Sequence, residues 1–321
     1  MRDQGKRVFK AAAIAAFLCV TSASWAQAPY PNRPVRIVVP FGPGSVSDGL
    51  ARVTANKLSI LWKQSVIVEN YPGLPGTTNV ARAAPDGYTL MITSNGHTIT
   101  GVLNKGIQFD PIKDFAGVAK LASSPQVAVV PPDLPVKTLA EFIALAKKSP
   151  GKLSFSSAGI ASTSYLCGEL FKQAARIDIL HVPYKGPEAG TAAMRGDVQF
   201  YLAPFHVARE LVIAGKLGAI AVNAAERTPY FPGLPTVKET LPDYVCDSWS
   251  ALLVPAATPR PIIDKLHDDF AAVLQMPDVI DKLPSMGAMP TMSTPEALDA
   301  QMKQEMELYA KVLGDAGVGA N

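Results

Sequence analysis

The stretch that decides the fold reads Arg36-Ile-Val-Val-Pro-Phe-Gly-Pro-Gly-Ser-Val-Ser-Asp-Gly-Leu-Ala-Arg52. A short run of β-branched residues leads into a turn rich in glycine and serine, and the turn opens directly into a helical pattern. The first N–H groups of a helix have no acceptor inside the helix and carry the positive end of its dipole. The stretch therefore predicts a strand, a turn and a helix that together attract an anion, most often a carboxylate or a phosphate.

Strand and helix patterns alternate along most of the chain. Short apolar runs predict strands at 35–39, 66–69, 89–93, 127–130, 152–155, 179–182, 198–202, 219–222 and 251–254. Helical spacing predicts helices at 48–61, 139–147, 164–175, 187–194, 206–214, 261–275, 277–283 and 295–315. So dense an alternation predicts an α/β fold with mainly parallel sheets that helices cover on both faces.

The first 26 residues have the pattern of an export signal. A basic segment at 2–10 precedes an apolar run at 11–20, which is too short to span a membrane. The small residues Ser24 and Ala26 suit a signal peptidase, and a cut after Ala28 is a second option. The sequence therefore predicts an exported, periplasmic protein.

The charge of the chain argues against a nucleic-acid or membrane partner. Its formal net charge is +3, but residues 1–26 hold four of the 30 Lys and Arg residues and only one of the 27 Asp and Glu residues. The remainder carries 26 residues of each sign, so the excess of positive charge belongs to the export signal. We therefore expect neither a nucleic-acid footprint nor a polybasic membrane face.

Two cysteines, Cys167 and Cys246, remain after the export signal. They could pair in an oxidising compartment, but nothing local forces a bridge, and two lone buried thiols are the plainer interpretation. None of the four histidines lies at metal-ligand spacing, and no phosphate loop or dinucleotide fingerprint is present. We expect no metal and no cofactor.

Four turns rich in small or polar residues follow predicted strands, at 41–48, 93–98, 156–163 and 181–186. In an open α/β sheet such turns gather at the carboxyl edge of the strands, where ligands bind. The turns at 41–48 and 156–163 both open helices, and one lies in each half of the chain. We therefore expect these two turns to face each other.

In the identity and the order of its motifs, the sequence resembles the receptors of tripartite tricarboxylate transporters, also called Bug receptors. The landmarks include Val68-Glu-Asn-Tyr-Pro-Gly73, Ala84-Pro-Asp-Gly-Tyr-Thr-Leu90, His181-Val-Pro-Tyr-Lys-Gly186 and Ser248-Trp249. The resemblance implies the two-lobe "Venus flytrap" (type II) fold of periplasmic binding proteins, in which the chain crosses twice between lobes. On this sequence the crossings fall near Ala128 and Ser248. Residues 27–128 and 249–321 would form lobe 1, and residues 129–248 would form lobe 2.

The resemblance also implies a carboxylate site between the lobes, made of backbone N–H groups, hydroxyls and ordered waters, usually without a full arginine salt bridge. In lobe 1 the implied residues are Phe41, Gly44, Ser45, Asp48, Ser94, Asn95 and His97. In lobe 2 they are Ser157, Ala158, Gly159, Ser162, Thr163, Tyr184 and Ala203. Because two negative charges repel, we expect Asp48 to cap its helix or to orient waters rather than to touch the anion.

The chain departs from the pattern of this family at several positions. Ser45 and Val46 stand where glycines are common, and Ala161 and Tyr165 stand where a glycine and a histidine are common. Ala203 stands where an aspartate is frequent, an aspartate that can meet an amine or a hydroxyl of the ligand. These changes argue against an amino acid ligand and leave the carboxylate unidentified.

The implied function is a receptor, active as a monomer, that delivers a small organic carboxylate to the membrane permease subunits of a tripartite transporter. Two alternatives stay open. A receptor of the same build could present its ligand to a membrane sensor kinase. A periplasmic hydrolase could use Ser157 or Ser162 as a nucleophile with His97 as its base, but no acid that would orient the histidine can be placed beside them.

Overall fold

The first sheet has the strand order β11-β4-β10-β3-β1-β2. Its strands are β1 (Val35–Val39), β2 (Val66–Asn70), β3 (Thr89–Ser94), β4 (Phe115–Ser123), β10 (Trp249–Pro255) and β11 (Met289–Pro290). Strand β1 lies parallel to β2 and β3, with Val35 opposite Val66 and Arg36 opposite Thr89. Strand β10 runs antiparallel to both β3 and β4.

The second sheet has the strand order β7-β6-β8-β5-β9. Its strands are β5 (Gln126–Val130), β6 (Ser154–Ser157), β7 (Leu180–Pro183), β8 (Phe200–Pro204) and β9 (Gly218–Asn223). Strand β6 is parallel to β7 and β8, whereas β5 is antiparallel to β8 and β9.

Helices pack on both sheets. They are α1 (Val46–Trp62), α2 (Leu74–Ala81), α3 (Gly96–Leu103), α4 (Leu139–Lys148), α5 (Thr163–Ala175), α6 (Glu188–Arg195), α7 (Phe205–Ile213), α8 (Val237–Thr240), α9 (Arg260–Leu274), α10 (Pro277–Lys282) and α11 (Pro295–Asp315). A 3₁₀ turn at Leu283–Met286 precedes β11. Every strand predicted from the sequence coincides with an observed strand to within two residues at each end.

The computed structural model describes residues 30–104, 106–159, 162–186, 188–224, 226–228, 230–244, 246 and 248–318. The predicted export signal at 1–26, with both of its cut sites, lies outside the described residues, and so do Ala161 and Pro187. Residues 33–321 group into one unit, which holds both sheets, and residues 1–32 group into another.

The predicted α/β fold with mainly parallel sheets is confirmed. Strands β1 to β4 point the same way in the first sheet, and β6 to β9 do so in the second. Strands β10, β11 and β5 run in the opposite direction. Strand β4 ends at Ser123 in the first sheet and β5 begins at Gln126 in the second, so only Ser124 and Pro125 join them. Strand β5 enters the second sheet from this link and runs antiparallel to both of its neighbours, β8 and β9. Ala128, where a crossing was predicted, lies inside β5.

A buried carboxylate holds the start of the returning strand β10. Glu305, on α11, accepts a hydrogen bond from the indole Nε1 of Trp249 (2.8 Å) and one from the amide of Gln301 (2.8 Å). Its other oxygen accepts from the hydroxyl of Thr98 at 3.3 Å. Because α11 also packs against β4 and α5, this helix supports both the first sheet and a helix of the second.

The interpretation of Cys167 and Cys246 as lone thiols is wrong, because the two residues form a disulfide with their Cα atoms 5.5 Å apart. The carbonyl of Cys167 accepts from the hydroxyl of Tyr244 (3.2 Å), and the carbonyl of Cys246 accepts from the amide of Asn223 (2.8 Å). The bridge therefore joins α5 to the segment that leads into β10.

We predict that Cys167→Ser/Cys246→Ser lowers the free energy of unfolding by about 2–4 kcal/mol, because the bridge closes a loop across 79 positions and restricts the unfolded chain. Urea unfolding of the oxidised wild type and of the double variant measures this difference. A reducing agent should lower the midpoint of the wild type and leave that of the variant unchanged. Equal midpoints for the two proteins would contradict the prediction.

Candidate functional site

A cavity of about 360 Å³ lies where loops of the two sheets meet. On the side of the first sheet it is lined by Phe41, Gly44, Ser45, Val46, Ser47, Ser94, Asn95 and Gly287. On the side of the second sheet it is lined by Ala158, Ser162, Thr163, Ser164, Tyr201, Pro204, Phe205 and His206. The crossing segments contribute Ser124, Pro125, Gln126, Ser248, Trp249 and Ser250. Among these described residues there is no Lys, Arg, Asp or Glu.

The loop before α1 is held in shape by Asp48. Its carboxylate accepts from the N–H of Gly44 (2.9 Å) and the amide of Asn70 (2.9 Å), and it pairs with Arg52 at 3.0 Å. Burial alone would raise the pKa of Asp48, but these hydrogen bonds and the charge of Arg52 outweigh burial and lower it. Asp48 is therefore ionised and bound within the loop, and it does not line the cavity.

The start of α1 presents backbone donors to the cavity. Ser45 is the N-cap, and its hydroxyl accepts from the N–H of Asp48 at 3.2 Å. This leaves the N–H groups of Val46 and Ser47, in the first turn, without an acceptor inside the helix. Both residues line the cavity, so the positive end of α1 meets it.

Helix α5 repeats this arrangement from the second sheet. Ser162 is its N-cap and accepts from the N–H of Tyr165 at 3.2 Å. The first-turn residues Thr163 and Ser164 line the same cavity, and the hydroxyl of Ser164 accepts from the N–H of Ala158 at 3.0 Å. Two helix N-termini thus meet one cavity from different sheets.

A hydrogen bond connects the two walls of the cavity. The hydroxyl of Thr163 donates to the side-chain oxygen of Asn95 at 3.0 Å, and Asn95 is the fully buried N-cap of α3. This bond joins the start of α5 to the carboxyl edge of the first sheet.

Three buried polar atoms at the cavity have no hydrogen-bond partner among the described residues. They are the hydroxyl of Ser124, the side-chain oxygen of Gln126 and Nδ1 of His206. A buried polar atom without a partner is uncommon in a folded protein and points to a bound polar molecule or water. Nearby, burial raises the pKa of Tyr201 to about 12, so its hydroxyl stays protonated.

A family model described as "Tripartite tricarboxylate transporter family receptor" matches residues 50–313. The chain belongs to this family. A UPF0065 protein of Agrobacterium vitis, from the TAR-I ttuE-ttuC' intergenic region, is 36% identical over 315 residues, which are 95% of this chain and 91% of its relative.

Solved structures of periplasmic binding proteins share the fold. An R. palustris protein with adipate is 32% identical, with a TM-score of 0.75 over 90% of this chain and 98% of that one. MatC from Rhodopseudomonas palustris with bound malate is 31% identical, with a TM-score of 0.71 over 88% of this chain and 100% of that one. The predicted resemblance, the periplasmic-binding-protein fold and the receptor class are thereby confirmed, and the family is one of substrate-binding receptors rather than enzymes.

The structure brings part of the predicted site together at the cavity. The predicted residues that line it are Phe41, Gly44, Ser45, Ser94, Asn95, Ala158, Ser162 and Thr163. The predicted residues that do not line it are Asp48, His97, Ser157, Gly159, Tyr184 and Ala203.

His97 lies away from this cavity, in an aromatic cluster. Its Nε2 is 2.8 Å from the carbonyl oxygen of Pro111, its ring meets Phe115 edge to face at 4.8 Å, and Phe109 stacks at 6.0 Å. Burial lowers the pKa of His97 to about 4, so the imidazole is neutral. The predicted place of His97 at the rim of the main cavity is therefore corrected, and it lines a second, smaller cavity instead.

The pairing of a nucleophilic serine with His97 is not found. The hydroxyl of Ser157 lies 2.7 Å from Nε2 of His181, and Ser157 is completely buried, so no substrate reaches its oxygen. This contact holds the end of β6 in place beside β7. Burial, with a smaller contribution from Lys172, lowers the pKa of His181 to about 4.

Local structure holds three more of the predicted residues outside the cavity lining. Gly159 adopts a φ of 110°, which only glycine tolerates well, so it shapes the loop without reaching the cavity. Tyr184 donates its N–H to the carbonyl of Ser157 at 2.9 Å and stays beside β6. Ala203 is fully buried in β8 opposite Val127.

Residues that sequence reasoning missed come mainly from the crossings and from α7. Ser124 and Gln126 flank Pro125 just before the predicted strand at 127–130, and nothing in the sequence marked them as site residues. His206 appeared only as the start of a predicted helix. Gly287 gave no signal, yet it approaches His206 so closely that an added β-carbon would lie 2.6 Å from Nδ1.

Among the described residues, no helix combines the length and the apolar character needed to cross a membrane. In the same part of the chain, no group of three or more His, Cys, Asp or Glu side chains could hold a metal ion.

We predict that His97 makes stability fall as the pH is lowered from 6.5 towards 4. In this range His97 binds a proton in the unfolded state but not in the folded state. The reason is that the pKa of His97 is about 4 in the folded protein, whereas its ordinary value is 6.5. The loss approaches about 1.4 kcal/mol per pH unit, or about 3 kcal/mol in all. Urea unfolding at several pH values should show a shallower slope for His97→Gln than for the wild type, and equal slopes would contradict the prediction.

Proposed function

We propose that this protein is a periplasmic receptor that captures a small organic carboxylate between two lobes and delivers it to the membrane permease subunits of a tripartite transporter. The proposed lobes are residues 27–128 with 249–321, and residues 129–248. The first sheet falls in one of them and the second sheet, apart from the start of β5, in the other. An export signal at 1–26 directs the chain to the periplasm. The opposition of the α1 and α5 N-termini across one cavity carries the proposal.

The chemistry of the cavity suits a carboxylate. Each helix N-terminus presents unpaired N–H groups and about half a positive charge, and the two together can share an anion. No cationic side chain is among the described lining residues, so dipoles and hydroxyl groups bind the anion in place of an ion pair. The cavity volume of about 360 Å³ falls in the range of small-molecule sites.

The same geometry explains how binding is coupled to closure. A ligand held by Val46 and Ser47 on one side and by Thr163 and Ser164 on the other makes its full set of contacts only when the walls are close. The ligand therefore binds the closed arrangement more tightly than the open one and shifts the protein towards closure. In the closed arrangement Thr163 bonds to Asn95. A membrane partner that recognises this arrangement would receive the loaded receptor.

Ligands of the relatives and the redox state of the cysteines support the proposal. Two related structures hold adipate and malate, both carboxylates. The disulfide between Cys167 and Cys246 suits the oxidising periplasm.

We predict that one class of carboxylate stabilises residues 27–321 against heat. A ligand at 100 times its dissociation constant adds about 2.7 kcal/mol to the free energy of unfolding, which raises the melting temperature by a few degrees. The panel contains mono-, di- and tricarboxylates, aromatic acids and amino acids, with the matching alcohols as uncharged controls. The protein is first unfolded and refolded to remove any ligand that co-purified. The absence of a shift with every acid would refute the proposed function.

We predict that Thr163→Val weakens binding of the best acid about 5-fold, because the variant keeps the volume of the side chain but cannot donate to Asn95. Isothermal titration calorimetry measures the affinity. Thr191→Val, on the exposed face of α6, is the matched control and should bind like the wild type. An unchanged affinity in Thr163→Val would remove this hydrogen bond from the closing mechanism.

A further inference from the structure

A second cavity, of about 200 Å³, lies at the carboxyl edge of the first sheet. It is bordered by the ends of β1 and β3 and by the first turns of α2 and α3. Its polar lining consists of Thr77, Thr93, His97, Thr100 and Asn104. The receptor mechanism proposed above does not use this cavity.

His97 gives the second cavity a defined hydrogen-bonding character. The carbonyl of Pro111 can only accept, so the proton of the neutral imidazole is on Nε2, which donates to it at 2.8 Å. Nδ1 is then a bare acceptor. It is buried, without a partner among the described residues and without accessible surface of its own, so a donor reaches it when the side chains around it shift.

The other groups around this cavity add donors. Helix α2 begins at Leu74 without a side-chain cap, so first-turn N–H groups are available at its border. At the start of α3 the N–H of Gly96 donates to the hydroxyl of Ser94 at 3.2 Å. A hydroxyl group can accept from a first-turn N–H of α2 and donate to Nδ1 of His97 at the same time. A carboxylate cannot donate, and it would face the lone pair of Nδ1 with no cation among the described lining residues.

Phe41 stands between the second cavity and the main one. Among the described lining residues it alone belongs to both cavities. Its ring lies against Gly96, where an added β-carbon would be 3.7 Å from the ring. The neighbouring Ser94 lines the main cavity and Gly96 lines the second, so Phe41 and this segment form the partition that a ligand chain must displace to span both spaces.

We propose that the second cavity is a subsite for the far end of the ligand, and that it selects an organic acid whose chain passes Phe41 and ends in a hydroxyl group. This inference rests on the proposed function, because the carboxylate end stays between α1 and α5. The hydroxyl end bonds to Nδ1 of His97 and displaces water from the threonine-lined space.

The test is a series of matched acids titrated calorimetrically into residues 27–321 of the wild type. Hexanoate, 6-hydroxyhexanoate and adipate share a six-carbon chain and differ at the far end, and butyrate is the short reference. We expect 6-hydroxyhexanoate to bind at least 10-fold more tightly than hexanoate or adipate. Equal affinities, or a preference for adipate, overturn the inference, whereas binding of butyrate in the same series keeps the proposed function. If no acid binds, both proposals fail.

A substitution in the second cavity tests whether the tighter binding of 6-hydroxyhexanoate arises there. Thr100→Leu adds bulk there without touching the main cavity, so it should remove the advantage of 6-hydroxyhexanoate and leave the affinity for butyrate unchanged. Thr191→Leu makes the same change on the exposed face of α6 and should alter neither affinity. A hydroxyl advantage that survives in Thr100→Leu places the subsite elsewhere and overturns the inference. If Thr100→Leu does not fold, the wild-type series decides alone.

Discussion

The two crossings of the chain between the sheets constrain the rest of the structure. The first is Ser124–Pro125, and the second precedes Trp249; they touch, because the N–H of Ser124 donates to the carbonyl of Ser248. Helix α7 is tied to the same place, since the N–H of Phe205 donates to the carbonyl of Pro125 at 3.1 Å. With the sheets joined over so short a distance, their loop edges must lie side by side, and this places the starts of α1 and α5 at one cavity.

A buried hydrogen bond and a disulfide make the structure around the crossings rigid. The buried carboxylate of Glu305 fixes the indole of Trp249 at the start of β10, and removal of either partner would leave a buried polar group unsatisfied. The disulfide at Cys167 ties α5 to the segment that leads into the same strand. Rearrangement is therefore easiest where contacts between the walls are few and polar, as at the bond from Thr163 to Asn95.

Local sequence signals predicted most strands and both cavity-facing helix starts, because β-branched runs and N-cap residues act through their own neighbours. Strand β4 was missed, since its sequence Phe115-Ala-Gly-Val-Ala-Lys-Leu-Ala-Ser123 holds a single β-branched residue. The roles of Gln126 and His206 could not be predicted, because they depend on where the crossings place these residues. His97 was misplaced for a related reason: the turn containing it continues into α3, which directs the side chain to the aromatic cluster instead of the main cavity.

The absence of charged side chains among the described residues of the main cavity matters for a protein that must release what it binds. When such a site opens, water replaces each hydrogen bond to the ligand, and each exchange alters the free energy by only about 0.5–1.5 kcal/mol. An ion pair with a buried arginine would instead leave an uncompensated charge in the cavity on release, which is far more costly. The carboxylate of Asp48, one residue beyond the cavity-lining Ser47, is paired with Arg52 and accepts a hydrogen bond within its own loop. Its charge therefore orients the loop at the start of α1 and leaves the positive end of that helix facing the cavity.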